Sequence, residues 1–231
     1  RTIDSDKNAS NKDMTGSKAI TAHELFCAYP TLAPFLLAVL KAGVKGIFSE
    51  VKGLSLPPIL PILLLLGRIQ PVAGSGQGSL THVEPFIPVV FPCLDHGHLS
   101  IRKASAKALR NLSSTDSSSP ASIQSIFLRC REDLTSFWTM RTQGGHWNAV
   151  HGRLLLFREL VAFSVGTIVT WRDGELFGFL CRLCTPNEGA LPVPAPCVSV
   201  ALDILSAVAA GRRRKILLEL SGNLMRFLAR S

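Results

Sequence analysis

Between Pro85 and Leu109 the chain spells out a two-part unit that leaves few architectures open. The first part, Pro85-Phe86-Ile87-Pro88-Val89-Val90-Phe91-Pro92-Cys93-Leu94, is an apolar helical run punctuated by prolines and ending at Asp95. A short polar turn follows, His96-Gly97-His98-Leu99-Ser100. The second part, Ile101 to Leu109, sets Ala104, Ala106 and Ala108 among Arg102, Lys103 and Lys107. Small residues in a helix let neighbouring helices approach closely, so the unit predicts a tight helix pair.

Helical periods recur along the chain at lengths of 9 to 19 residues. They run from Glu84 to Leu94, Leu99 to Leu112, Ile123 to Met140, Trp147 to Val165, Glu175 to Leu183 and Pro196 to Ala210. Asp116 or Ser119, ahead of Pro120, suits a helix start. The clearest stripe is in the last predicted helix, Arg212 to Arg230. There Ile216, Leu217, Leu220, Leu224, Phe227 and Leu228 share one face. Val165 to Trp171 is β-branched, but an isolated strand has nothing to pair with, and it reads as a helix end and loop. Alternating aromatic and β-branched stretches are scarce, which argues against a β-sandwich or barrel. An all-α chain of short helices makes either a bundle or a stack of helix pairs. The Pro85–Leu109 unit resembles a HEAT repeat, and in such repeats an acid and an Arg at the positions of Asp95 and Arg102 bridge one turn to the next. The expected fold is an all-α, armadillo/HEAT-like superhelical solenoid fragment.

Residues 1–20 are polar and aperiodic and read as a disordered linker, with the repeat segment over 21–231. Flexible loops are expected near 73–79 (AGSGQGS) and 113–119 (SSTDSSS). The chain opens on Arg1 and stops at Ser231 within an amphipathic pattern, so it reads as a piece of something longer. The most apolar run, Leu54 to Leu66, contains Pro57, Pro58 and Pro61 and is too short to span a bilayer. No membrane association is expected. Six cysteines at irregular spacing follow a polar N-terminus, which points to a reduced, cytoplasmic chain.

Little in the sequence supports catalysis. Cys181-x-x-Cys184 has the spacing of half a zinc site, but Cys197 is the one nearby further ligand and no His follows Cys184. Buried cysteines near a helix end explain that spacing more simply. Asp95, His96 and His98 could gather at a metal or supply a base, although turns collect such residues for conformational reasons. No nucleophile elbow or phosphate loop is present, and Ala73 to Gly78 lacks the Lys-Ser/Thr of one. The chain reads as a non-enzyme without cofactor, metal or small-molecule substrate.

Charge is more informative. Twenty-five Lys and Arg against 16 Asp and Glu leave +9 at pH 7. The cations cluster as Arg102, Lys103, Lys107 and Arg110, as Arg129 and Arg131, and as Arg212, Arg213, Arg214 and Lys215. Such groups give salt-sensitive, sequence-independent affinity for RNA phosphates, although many solvated helix faces look the same. Four cations at a helix N-terminus oppose the macrodipole and invite a compensating partner. Lys103, Lys107, Arg110 and Arg212 to Lys215 are the candidate RNA-facing residues.

One further block stands out: Trp147-Asn148-Ala149-Val150-His151-Gly152-Arg153-Leu154-Leu155-Leu156. Asn148 can cap a helix. Gly152 costs about 1 kcal/mol in a helix relative to Ala, so its presence implies the close approach of another chain segment. His151, at the edge of the apolar face, suits a hydrogen-bonded core histidine. Asn-x-x-His-Gly-x-Leu-Leu, following a hydrophobic-Arg-x-Ala segment at Ile101 to Leu109, resembles a signature of the THADA-like proteins, large helical-repeat regulators of tRNA 2′-O-methyltransferases. The resemblance covers about Phe86 to Leu160. Leu156 departs from it, standing where a polar residue is expected, and the family's basic activating motif is not recognisable. The resemblance implies a non-catalytic scaffold for an FtsJ-type methyltransferase acting on the tRNA anticodon loop, with S-adenosylmethionine bound by that partner. It also implies that Asn148, His151 and Gly152 serve local architecture and partner contact. From the residues alone, a general HEAT/armadillo adaptor that binds no RNA fits equally well.

Overall fold

The computed structural model describes residues 21–47, 59–69, 83–113, 122–139, 146–163, 174–185 and 193–210, and among them every regular element is helical. In chain order these are α1 (Ala22–Ala28), α2 (Leu32–Ile47), α3 (Ile59–Leu66), α4 (Ile87–Val90), α5 (Leu99–Leu112), α6 (Ile123–Thr139), α7 (Trp147–Phe163), α8 (Gly174–Cys184) and α9 (195–210). The linker over 1–20, the loop at 73–79, nearly all of that at 113–119, Val165–Trp171 and the helix from Arg212 lie outside the described residues.

Local chemistry sets several boundaries. Thr21 and Glu24 form a reciprocal capping box: Glu24 N–H donates to Thr21 Oγ1 (3.2 Å) and Thr21 N–H to Glu24 Oε2 (2.9 Å). α6 is capped by Ser122, whose Oγ accepts from Ser125 N–H at 3.0 Å, rather than by Asp116 or Ser119. The run expected as one helix from Glu84 to Leu94 is broken into a 3-10 turn (Glu84–Phe86), the single turn α4 and a second 3-10 turn (Phe91–Asp95). The cause is Pro85, Pro88 and Pro92, each lacking the N–H that an α-helical ladder needs at its position. The run still buries Phe86, Ile87, Val90, Phe91, Cys93 and Leu94.

From α2 to α7 consecutive helices pair, and the helices stack in two layers. One layer contains α2, the 84–95 run, α6 and α8; the other contains α3, α5, α7 and α9. α5 packs between α3 and α7 and rests on the 84–95 run, and α7 rests on both that run and α6. Neighbours in the second layer run parallel: Asn111, at the end of α5, reaches Gly67 just past α3, and Arg110 reaches Glu159 late in α7. The fold is therefore an all-α, helical-repeat solenoid fragment.

Of the two central helices, α7 is buried nearly all round and α5 on all but one stripe, as interior members of a stack must be. In α7 every residue from Ala149 to Phe157 is buried, and Leu154, Leu156, Phe157 and Leu160 are fully enclosed. Each such side chain contributes about 1.5–3 kcal/mol of burial. Leu156, which departs from the family pattern, belongs to this core. Ala104, Ala106 and Ala108 are buried at the closely packed faces of α5. Among the described residues no helix is long and apolar enough to cross a membrane.

Candidate functional site

The polar residues singled out in the sequence converge on the joint between α5 and α7, beneath the turn at 96–98. Ile101, in the first turn of α5, is fully buried, and Arg102 beside it is 7% exposed. Its Nη1 donates to the carbonyls of His96 (2.7 Å) and Gly97 (2.8 Å) and to Asn148 Oδ1 (3.0 Å). Its Nε donates to His151 Nδ1 at 3.3 Å. One guanidinium thus holds the turn of one helix pair against the first turns of the next. Burial, with no carboxylate among these acceptors, draws the Arg102 pKa below its ordinary value.

The Asn148-His151-Gly152 block faces this joint. Asn148 gives its side-chain oxygen to Arg102 instead of capping α7. His151 is buried and accepts through Nδ1, so it is neutral here. Burial first, then the charges of Arg102, Lys103 and Arg158, bring its pKa down to about 4. At Gly152 an added Cβ would overlap the Leu94 carbonyl oxygen and stand 2.7 Å from its carbon. The close approach that Gly152 implies is therefore made by the backbone of the 84–95 run, and only glycine fits beneath it.

Asp95 and Arg102 do not pair with each other. Asp95 binds Arg153 Nη1, and Arg153 Nε donates to Asp133 Oδ2 on α6 at 2.8 Å. The Arg153 guanidinium also lies over the Phe91 ring at 4.7 Å, while Arg129 covers that ring at 4.0 Å. Arg153 thus joins α7 to two elements at once. It was not singled out in the sequence. The available signal was a charge set beside the run Leu154-Leu155-Leu156-Phe157, where only a paired cation is stable.

The other candidate groups are placed apart or used otherwise. Asp95 turns to Arg153, while His96 Nδ1 accepts the backbone N–H of His98 at 2.9 Å, so this trio does not face a common point. Burial chiefly, with His98 and Arg102, lowers the His96 pKa. Cys181 and Cys184 are partly exposed at the end of α8. Cys197 is buried on α9 with its Sγ 3.9 Å from the Trp147 carbonyl. Among the described residues, no three His, Cys, Asp or Glu side chains group as a metal site would require. Lys103 and Lys107 are exposed on α5. Arg110, expected to face RNA, instead donates to Asn111 Oδ1 through Nε (2.9 Å) and Nη2 (2.7 Å) and pairs with Glu159 at 3.7 Å. Arg212, Arg213, Arg214 and Lys215 lie outside the described residues.

A joint of this kind, with a polar turn bolted to the next helix pair, has the character of repeat architecture. Comparison with known proteins identifies whose. Residues 1–160, well over half of the chain, match the family model described as Trm732, C-terminal TPR repeats. The chain belongs to this family. The match takes in the whole Arg102 joint. Curated proteins similar to it include the dog (Canis lupus familiaris) tRNA (32-2′-O)-methyltransferase regulator THADA, 30% identical over 154 residues, which are 66% of this chain and 8% of that protein. The chicken (Gallus gallus) protein of the same name is 34% identical over 108 residues, 45% of this chain and 5% of its own. That of Chlorocebus aethiops is 28% identical over 157 residues, again 66% and 8%. The chain thus spans less than a tenth of the length of these relatives. They are named regulators, not methyltransferases. No solved structure matches. The Trm732 family description speaks of TPR repeats where the sequence suggested HEAT or armadillo units; both are stacked helix pairs.

Proposed function

We propose that this chain is part of a non-catalytic scaffold that regulates an FtsJ-type tRNA 2′-O-ribose methyltransferase acting in the anticodon loop. What carries the reading is the alignment of 154 residues, spanning the α5–α7 joint, with a relative named as regulator of a tRNA (32-2′-O)-methyltransferase. The geometry suits such a role. Asn148, His151, Arg102 and Arg153 make bonds between repeats, so in this stretch they set the pitch of a solenoid. A solenoid offers a partner an extended surface whose shape depends on such joints. On this reading the methyl donor belongs to the partner enzyme, and the protein works in the cytoplasm.

The test is ribose methylation at tRNA position 32 in cells lacking the full-length protein. The expected result is loss of that methyl group, restored by the wild-type full-length chain. Restoration should fail with Gly152→Ala, which deforms the joint, provided the variant accumulates normally. Methylation unchanged by the deletion would refute the reading and leave a general helical adaptor without a role on tRNA.

A further inference from the structure

The charges of the second layer are unevenly distributed. α7 and α9 contain acids, and these have cationic partners: Glu159 lies 3.7 Å from Arg110 and 3.6 Å from Arg158, and Asp203 lies 3.4 Å from Arg158. Asp95 and Asp133 are taken by Arg153. Residues 59–69 and 99–113, by contrast, contain no acid at all. Their outward cations are Arg68, just past α3, and Lys103 and Lys107 on α5. Among the described residues, none of these three is in an ion pair.

The three belong to one patch. Lys103 and Lys107 are one turn apart on α5, about 6 Å along the axis. The Lys107 stem passes over Gly67, its Cγ 3.5 Å from where a Cβ would stand, which brings the lysine beside Arg68. Leu99 (43% exposed) and Ser100 complete the exposed stripe of α5 at its N-terminal end, and no aromatic or aliphatic anchor stands between the two lysines, since residues 104–106 are buried. Protein interfaces centre on such anchors, with charge at the rim. A row of unpaired cations with none between them fits phosphates instead.

We propose that Arg68, Lys103 and Lys107 form a face that binds the phosphate backbone of RNA, without reading its bases. The chemistry stands on the charge segregation; choosing tRNA as the RNA rests on the function proposed above. Arg110 is excluded from the contact, since its guanidinium is engaged by Asn111 and Glu159.

The experiment uses the purified full-length chain and unmodified tRNA, titrated from about 50 to 200 mM salt, a range over which phosphate contacts lose affinity steeply. The variant is the triple Arg68→Gln, Lys103→Gln, Lys107→Gln. All three positions are exposed, so folding should be kept, as unchanged amide exchange in α5 would verify. Binding should weaken about 10- to 100-fold, and the log–log salt slope should fall by about two units. A second variant, Leu64→Ser with Leu65→Ser, alters the exposed leucines of α3 (48% and 37%) and should leave binding unchanged. Wild-type protein that does not bind tRNA, or a triple variant with unaltered affinity and slope, overturns the proposal. So does loss of tRNA binding with the leucine variant alone, which would make the face apolar in function and suited to a protein. If the triple variant loses salt-dependent binding while position-32 methylation never needed the protein, the face stands and the regulatory reading falls. If methylation needs the protein but the triple variant binds normally, the reverse holds.

Discussion

Arg102 and Arg153 stand on neighbouring helices, are 7% and 5% exposed, and do opposite things with the same guanidinium. Arg102 meets only neutral acceptors: two carbonyls of one turn, an amide oxygen and an imidazole nitrogen. Arg153 meets two carboxylates, from the 84–95 run and from α6, each partly open to solvent (44% and 32%). Arg102 supplies direction, because hydrogen bonds to fixed backbone carbonyls define where the turn sits over α7. Arg153 supplies charge, and its partners can recover hydration if it is lost. The pair teaches that a buried cation can act as a geometric bolt or as an electrostatic tie. The two should respond differently to substitution, salt and pH. In a stacked chain the proper readout is local: amide exchange of α5 and α7 in the full-length protein.

The largest effect should come from a residue between the two bolts. Gly152→Ala places a methyl against the Leu94 carbonyl, and neither backbone can give way without separating α7 from the 84–95 run. Overpacking against backbone should destabilise by more than about 3 kcal/mol. Exchange in α7 near that of an unfolded chain is the expected outcome; native-like protection would show that the approach is looser than described.

Next comes Arg102→Met, which keeps much of the stem but leaves the carbonyls of His96 and Gly97 without their donor. A loss of about 3 kcal/mol is expected, insensitive to salt, since no ion pair is broken. Arg153→Met should cost less, about 2 kcal/mol, because Asp95 and Asp133 can rehydrate. That cost should shrink towards about 1 kcal/mol in 1 M salt, where exposed pairs are screened. Equal salt dependence for the two variants would erase the distinction.

Arg102 was legible in the sequence because it stands in a patterned segment, hydrophobic-Arg followed by alanines. Arg153 was not, because its acids lie 58 and 20 residues away and the chain must fold before they meet. The same physics divides the rest. Gly152 announced a close approach, since a mid-helix glycine costs stability, yet nothing local named Leu94 as the neighbour. The helices α5 to α8 were readable to within a residue or two from their apolar periods. The 84–95 run was not, because its buried pattern is helical while its prolines forbid a continuous ladder. Asn148 looked like a cap by its position, and a long-range donor took its oxygen. Arg110 read as an RNA-facing cation by its neighbours in sequence, and Asn111 and Glu159 hold it.

The smallest effect tests the neutral bolt through its imidazole. His151 accepts from Arg102, so the folded chain binds a proton there only near pH 4, whereas the unfolded chain binds one near 6.5. Between those values the unfolded state carries the extra proton, so stability falls as pH falls. From pH 7 to pH 6 the loss attributable to His151 is about 0.7 kcal/mol by linkage. His96, whose pKa is also lowered, adds in the same direction. His151→Gln keeps an oxygen able to accept from Arg102 Nε but cannot titrate. Exchange protection of α5 should therefore fall less between pH 7 and pH 6 in this variant, after correction for intrinsic exchange rates. An identical pH response in the two proteins would mean that the Arg102 joint does not depend on a neutral imidazole, and that the contrast with Arg153 rests on the carbonyls alone.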